Sequence, residues 1–477
     1  MDLLSYKTLR KQGYGGFLLE SAPERILQFG EGNFLRAFVD HFIDVLNEQA
    51  GWNGKVVAVQ PIASPIHEKF AAQDCLYTVL LRGIENGEEV EKKRVISCIS
   101  RCISAVDEFD AVLGCAHNPD LSYIVSNTTE AGIVFQDCDK PGSPETAAFP
   151  GKLTLFLYER FKAFPDKGFV ILPCELNEEN GKKLFMCIKN YMELWDLPAD
   201  FAAWVKEKNT FCSTLVDRIV PGYPPDAAAL NEKNGYEDDL LVSAEPFGFW
   251  VVEGPSCLSD ELPFAKSGLP VLVTGDYTPY MQRKVRILNG AHTSTVCAAL
   301  LCGFDTVGEM MSDTLLRGFL EREIFDEIIP TLDLPKKELD DFAMSVIERF
   351  QNPFIRHELM TITLNITSKW RARVLPSVLE YLSRNGALPA RLTFSFAAYA
   401  EFQRCGRYDC KDDKEVLDFF ASHREDDAET LMRVLCGEVL FWGQNLSDVP
   451  GFLAAVTADL KEIQTRGMRA AIEARFL

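Results

Sequence analysis

Residues 25–49, "RILQFGEGNFLRAFVDHFIDVLNEQ", constrain the fold more than any other stretch of this chain. An apolar run passes through Gly30-x-Gly32 straight into a segment whose apolar residues recur at helical spacing. A second apolar run, "KVVAVQP" (55–61), follows. A strand, a glycine turn, a helix and another strand in that order predict a parallel βαβ unit. Parallel neighbours need a crossover, and a helix is the usual one.

The alternation continues through "DAVLGCAHN", "SYIVSNTT", the helical "GKLTLFLYERFKAF", "GFVILPCEL" and a helix from about Asn180 to Leu197. "CLYTVLLRGI" and "EVEKKRVISCIS", joined across "ENGE", read as a β-hairpin inserted into this plan. From about Tyr277 strand-like segments become scarce and long helical patterns take over, as in "KELDDFAMSVIERF" and "RLTFSFAAYAEFQR". The predicted fold is α/β. A Rossmann-type doubly wound domain occupies 1–276, and a mainly α-helical C-terminal domain occupies 277–477.

The net charge of −21 disfavours nucleic acid and anionic membrane surfaces as partners and leaves a small molecule as the expected one. An anionic substrate would need a local basic pocket. The most apolar run, near Val296–Leu301, is too short to span a bilayer, and the N-terminus shows no signal-peptide core. Fourteen cysteines without a CxxC pair fit reduced thiols, so a cytoplasmic protein is expected. Six histidines without an HxxxH or HExxH pattern predict no bound metal.

The glycine turn is the first candidate site. Gly30 permits the tight turn, and Gly32 lets backbone amides approach a pyrophosphate where the helix begins at Asn33 and Phe34. Leu35 stands where GxGxxG would have its third glycine, so a plain strand–helix turn would read much the same. Gln60 ends the second strand, where an acid for the adenosine ribose is usual. No arginine follows it to hold a 2′-phosphate, so NAD is expected over NADP. "SNTTEAGI" (126–133), with Thr129 and Glu130, is small and polar enough to line the same cleft.

"MQRKVRILNGAHTS" (281–294) is the second. At about 100° per residue, His292 falls roughly 80° and Asn289 roughly 140° from Lys284, among apolar side chains. Such groups must meet partners, water or a ligand.

Four spaced stretches carry a resemblance: "TFCSTLVDRIVP" (210–221), Lys284-x4-Asn289-x2-His292, "PCELNEENG" (173–181) and "RFQNPFIRHEL" (349–359). Together they resemble the polyol-specific long-chain dehydrogenases, the mannitol dehydrogenase family. Leu176 and Met281 depart from plain mannitol dehydrogenases, and the match is most similar to members acting on keto sugar acids.

The resemblance implies a zinc-independent, NAD-dependent oxidoreductase. Lys284 is the implied acid/base, Asn289 and Asn180 stabilise the alkoxide, and His292 holds a substrate oxygen. Asp217, beside Arg218, is implied near the nicotinamide. Arg356 is the first candidate for a substrate carboxylate, with Lys369, Arg371 and Arg373 behind it. A non-catalytic nucleotide sensor is the alternative from another class, but it would have no use for a proton donor.

Overall fold

The computed structural model describes residues 1–129, 131–143 and 147–477. They form two compact units, Met1–Gly83 with Glu89–Tyr277, and Ile84–Glu88 with Thr278–Leu477.

The first unit is built on a six-stranded sheet. Its strands are β1 (Glu24–Phe29), β2 (Lys55–Gln60), β5 (Ile99–Ser104), β6 (Tyr123–Ser126), β7 (Val170–Pro173) and β8 (Thr210–Phe211), in spatial order β5-β2-β1-β6-β7-β8. Every pairing in it is parallel. The strands are apolar because both faces are covered. Leu27, Phe29, Val57, Val59 and Ile124 enter one core cluster, while Ile26, Val56, Ala58 and Val125 enter the other. The chain order reverses at β1, which places a ligand crevice at the carboxyl ends of β1 and β6.

The inserted hairpin is only half as read. β3 (Tyr77–Glu85) and β4 (Glu88–Ile96) lie side by side with β10 (Val242–Ala244). Asn86 and Gly87, both at positive φ, form the turn between them. "EVEKKRVISCIS", however, is broken at Ser97 and Cys98: it stays in β4 up to Ile96, and its last two residues, Ile99 and Ser100, begin β5 of the main sheet. The break is tertiary in origin: the Ser97 N–H and hydroxyl both donate to the buried Asp44 carboxylate. A further sheet joins β9 (Ser213–Asp217), β11 (Phe249–Glu253) and β12 (Val271–Thr274), with β11 in the middle.

The second unit is helical. Its central segment runs through α6 (Thr278–Arg283), a π-helix over Lys284–Gly290, and α7 (Ala291–Leu301). Every residue from Ala291 to Leu300 is buried, which accounts for the apolar run there. α8 (Lys336–Phe350), α9 (Ile366–Arg373) and α10 (Ala390–Arg404) belong to the same unit. Trp370, Phe396, Tyr399 and Trp442 pack ring on ring within it. Among the described residues no helix is long and apolar enough to cross a membrane, and all fourteen cysteines are free thiols.

Candidate active site

The glycine turn joins β1 to α1 (Asn33–Ala37), which breaks at Phe38 before α2 (Val39–Ala50) begins. Gly30 has φ +114°, and a Cβ there would lie 2.8 Å from the Asn127 carbonyl oxygen. No other residue fits that backbone. Gly32 is the opposite case: a Cβ there would meet nothing within 4 Å, so the backbone is open to a close ligand. A pyrophosphate fits that opening. Leu35 stands at the third-glycine position; it is buried, and its Cδ1 would lie 3.1 Å from a Cβ on Gly30. Asn33 is exposed beside Gly222, and its Oδ1 accepts from Arg36. Phe34 stacks on Phe38.

Two residues expected at ligands are built into the frame instead. Gln60 is fully buried. Its amide donates to the carbonyls of Ile62 (2.8 Å) and Ser64 (2.7 Å), and its Oε1 accepts from the His67 N–H. Both amide hydrogens are consumed by the loop after β2, so Gln60 shapes that loop and has none left for a ribose.

Asn180, 1% exposed at the start of α5 (Asn180–Leu194), is committed more completely still. Its Nδ2 donates to the carbonyls of Pro173 and Glu175 (both 2.9 Å) and Thr214 (3.1 Å), and its Oδ1 accepts from Gly181 (2.9 Å) and Thr214 (2.8 Å). It clamps the end of β7 to β9. With both hydrogens and both lone pairs in use, it has none for an alkoxide.

Glu175 ties the neighbouring loop to this clamp. Its buried carboxylate accepts from Ser126, the Thr128 N–H and the Thr128 hydroxyl, and the Asn127 side chain donates to the Cys174 carbonyl. Thr129 follows at φ +72°, an uncommon conformation for a β-branched residue. It is exposed at the crevice end of β6. Glu130 lies outside the described residues. Asp217 is buried at the end of β9. Arg218 beside it donates to the carbonyls of Ala37, Pro246 and Phe247 and lies over the rings of Phe38 and Phe42, so it works as a structural staple.

In the second unit the π-helix changes the geometry of the polar set. Its i→i+5 bonding stacks residues five apart, so Lys284 and Asn289 fall on one face, closer than a 100° wheel places them. Both are half-buried. The Asn289 carboxamide makes no hydrogen bond among the described residues, and the Thr293 hydroxyl donates to its backbone carbonyl.

His292, 8% exposed, stacks on Phe350 at 3.8 Å between centroids and stands edge-on to His357 at 5.1 Å. Its Nε2 has no partner among the described residues. Burial, then the proximity of His357, Arg349 and Arg373, holds it well below the usual histidine range. Its surroundings therefore favour the neutral imidazole.

The cations near this set are not the first one expected. The Arg356 side chain is 72% exposed and paired with Glu358 at 2.6 Å. Arg349 and Arg373 are the arginines felt by His292, and Arg373 Nη1 approaches the Thr293 hydroxyl at 3.5 Å. Lys369 donates to the Ile362 carbonyl, and Arg371 is exposed beside Gly443. Arg349, Phe350 and His357, which stand around His292, are not singled out by the sequence. They lie inside the stretch 349–359, and nothing local distinguishes them from Arg356. No group of three or more His, Cys, Asp or Glu is placed to hold a metal among the described residues.

A parallel sheet with a glycine crossover at its switch point, and a helical unit bearing lysine, amide and neutral imidazole, define a two-unit dehydrogenase. The chain belongs to the mannitol dehydrogenase family: the Rossmann-domain model matches residues 24–266 and the C-terminal-domain model residues 276–464. It is 46% identical to altronate oxidoreductase of Klebsiella pneumoniae (strain 342), over 98% of this chain and 99% of the relative. It is 47% identical to altronate oxidoreductase of Cronobacter sakazakii, with the same coverage. Among solved structures, D-sorbitol dehydrogenase in substrate-free form superposes with TM-score 0.82 at 25% identity, over 94% of this chain and 95% of that one. Mannitol 2-dehydrogenase of Pseudomonas fluorescens shares the fold at TM-score 0.72 and 22% identity, over 99% of each chain.

Proposed function

We propose that this protein is an NAD-dependent hexuronate reductase that interconverts D-tagaturonate and D-altronate. The observation that carries the reading is full-length similarity to altronate oxidoreductases, at 46% identity over 98% of the chain. NADH supplies the hydride. Lys284, as ammonium, gives its proton to the ketone oxygen as negative charge develops there, and as neutral amine it takes the proton back in the reverse direction. Asn289 donates an N–H to the same oxygen. His292, held neutral, offers one N–H and one lone pair and orients a substrate hydroxyl without adding charge. With Arg356 turned to solvent, Arg373 and Arg349 are the better cations for the substrate carboxylate.

Purified protein supplied with NADH and, in turn, tagaturonate, fructuronate, fructose and fructose 6-phosphate tests this directly. NADH consumption should be fastest with tagaturonate. A faster rate with fructuronate would make it a mannonate-forming reductase, and a faster rate with fructose a mannitol dehydrogenase. Binding without turnover on all four would indicate a nucleotide sensor.

A further inference from the structure

Glu31 is an odd residue for a turn that would hold a pyrophosphate. It sits between Gly30 and Gly32, is only 8% exposed, and its carboxylate accepts no hydrogen bond from another side chain among the described residues. The nearest guanidinium does not neutralise it: Arg36 is turned to the Leu240 carbonyl and to Asn33 Oδ1. Burial accordingly raises its carboxyl to about 7.

The Gly30 N–H donates to the Val59 carbonyl at 2.8 Å, which seats the turn against the end of β2. Arg36, His67 in α3 (Ile66–Ala72), and Cys102 on β5, which is in register with Ala58 of β2, are close enough to interact with the Glu31 charge. The His67 N–H in turn binds Gln60. Glu31 therefore leans toward the end of β2, the place where doubly wound folds read the adenosine ribose with an acid. Gln60, which occupies that position in the chain, is fully buried and bound into its own loop.

We propose that Glu31, reaching across from the glycine turn, is the group that accepts the adenosine ribose 2′-hydroxyl and repels a 2′-phosphate. The inference rests on the NAD-dependent reading above. A cleft of about 480 Å³ in the same unit is lined by Arg36, Ser64, Ile66 and Lys69 and by one carboxylate, Asp239, so its cations outnumber its acids by one.

The test is the ratio of kcat/KM for NADH to that for NADPH, together with the affinities of adenosine 5′-monophosphate and adenosine 2′,5′-bisphosphate. Glu31→Gln should weaken NADH and 5′-monophosphate about ten- to a hundred-fold, the usual worth of a charge-assisted hydrogen bond, and strengthen NADPH and the bisphosphate. A parent enzyme that uses NADPH as well as NADH would overturn the NAD reading itself. A parent that prefers NADH, with Glu31→Gln keeping the parent's ratio, would overturn only the role of Glu31. If Glu31→Gln does not fold, Glu31→Asp serves. It keeps the charge but withdraws it by one methylene, so NADH should weaken while the bisphosphate stays excluded; unchanged NADH affinity would defeat the proposal.

Discussion

Asn180 and Asn289 are the same side chain, expected in the same role, and they sit in opposite circumstances. Asn180 spends both amide hydrogens and both lone pairs on backbone groups around β7 and β9. Asn289 spends none of its carboxamide. Residue type states what a group can do; the local supply of backbone partners decides whether it is free to do it. Around Asn180 the chain leaves strands at Pro173 and enters α5, so several peptide groups lack ladder partners and the carboxamide supplies them. Asn289 lies within a continuous helix, where the backbone bonds itself.

The comparison breaks most severely at the residue that shares a face with Asn289. Lys284→Met should lower turnover by about 100–10,000-fold, as expected for loss of a general acid, with NADH affinity within a few-fold of the parent. A variant keeping more than a tenth of the parent rate would remove Lys284 from that role. The two asparagines should then separate by readout. Asn289→Ala should cost about 100–1,000-fold in kcat with an unchanged melting temperature. Asn180→Ala should leave buried backbone groups unpaired at roughly 1–3 kcal/mol each, and so lower the melting temperature markedly. If Asn180→Ala melts like the parent and loses kcat instead, the two roles have been assigned the wrong way round.

The sequence made the crossover legible because a parallel strand covered on both faces reads as an apolar run, and Gly30 and Gly32 mark its end. It hid the boundary between β4 and β5, since that boundary depends on Asp44, far away in the chain. It hid the π-helix as well: Lys284–Gly290 carries no local mark that its bonding is i→i+5. The polar set is legible as a motif in the sequence, but its spacing around the helix axis is not. Arg356 ranks above Arg373 in the sequence because it lies in the family-like stretch 349–359, whereas Arg373 belongs to a basic helical run that reads as a solvated face. Which of them meets solvent is settled by packing that no window of sequence contains.

That last pair gives the next test. Arg373→Ala should raise KM for a hexuronate about ten- to a hundred-fold, the worth of one charge-assisted hydrogen bond, with much less change for fructose. Arg356→Ala should be nearly silent, because an exposed pair such as Arg356–Glu358 is worth little. A large KM effect at Arg356 with none at Arg373 would return the substrate carboxylate to the exposed arginine.

The smallest effect asks whether an unengaged buried atom always signals chemistry. Asp40, on α2, accepts from Tyr77 (3.0 Å) and Gln28 (3.4 Å) through Oδ2, while its Oδ1 has no partner among the described residues. Burial raises its carboxyl to about 7. The folded state therefore holds a proton that the unfolded chain releases near pH 4. The stability this provides is complete below about pH 4 and is lost as pH rises through 7, by at most about 4 kcal/mol. Asp40→Asn is neutral at every pH, and Gln28, which already reaches Asp40, has an Oε1 free to accept. The variant should match the parent near pH 4 and melt higher than it at pH 8, with hexuronate turnover unchanged. The same fall in melting temperature from pH 4 to pH 8 in both proteins would clear Asp40. A loss of turnover would mean that it belongs with Asn289 rather than with the frame.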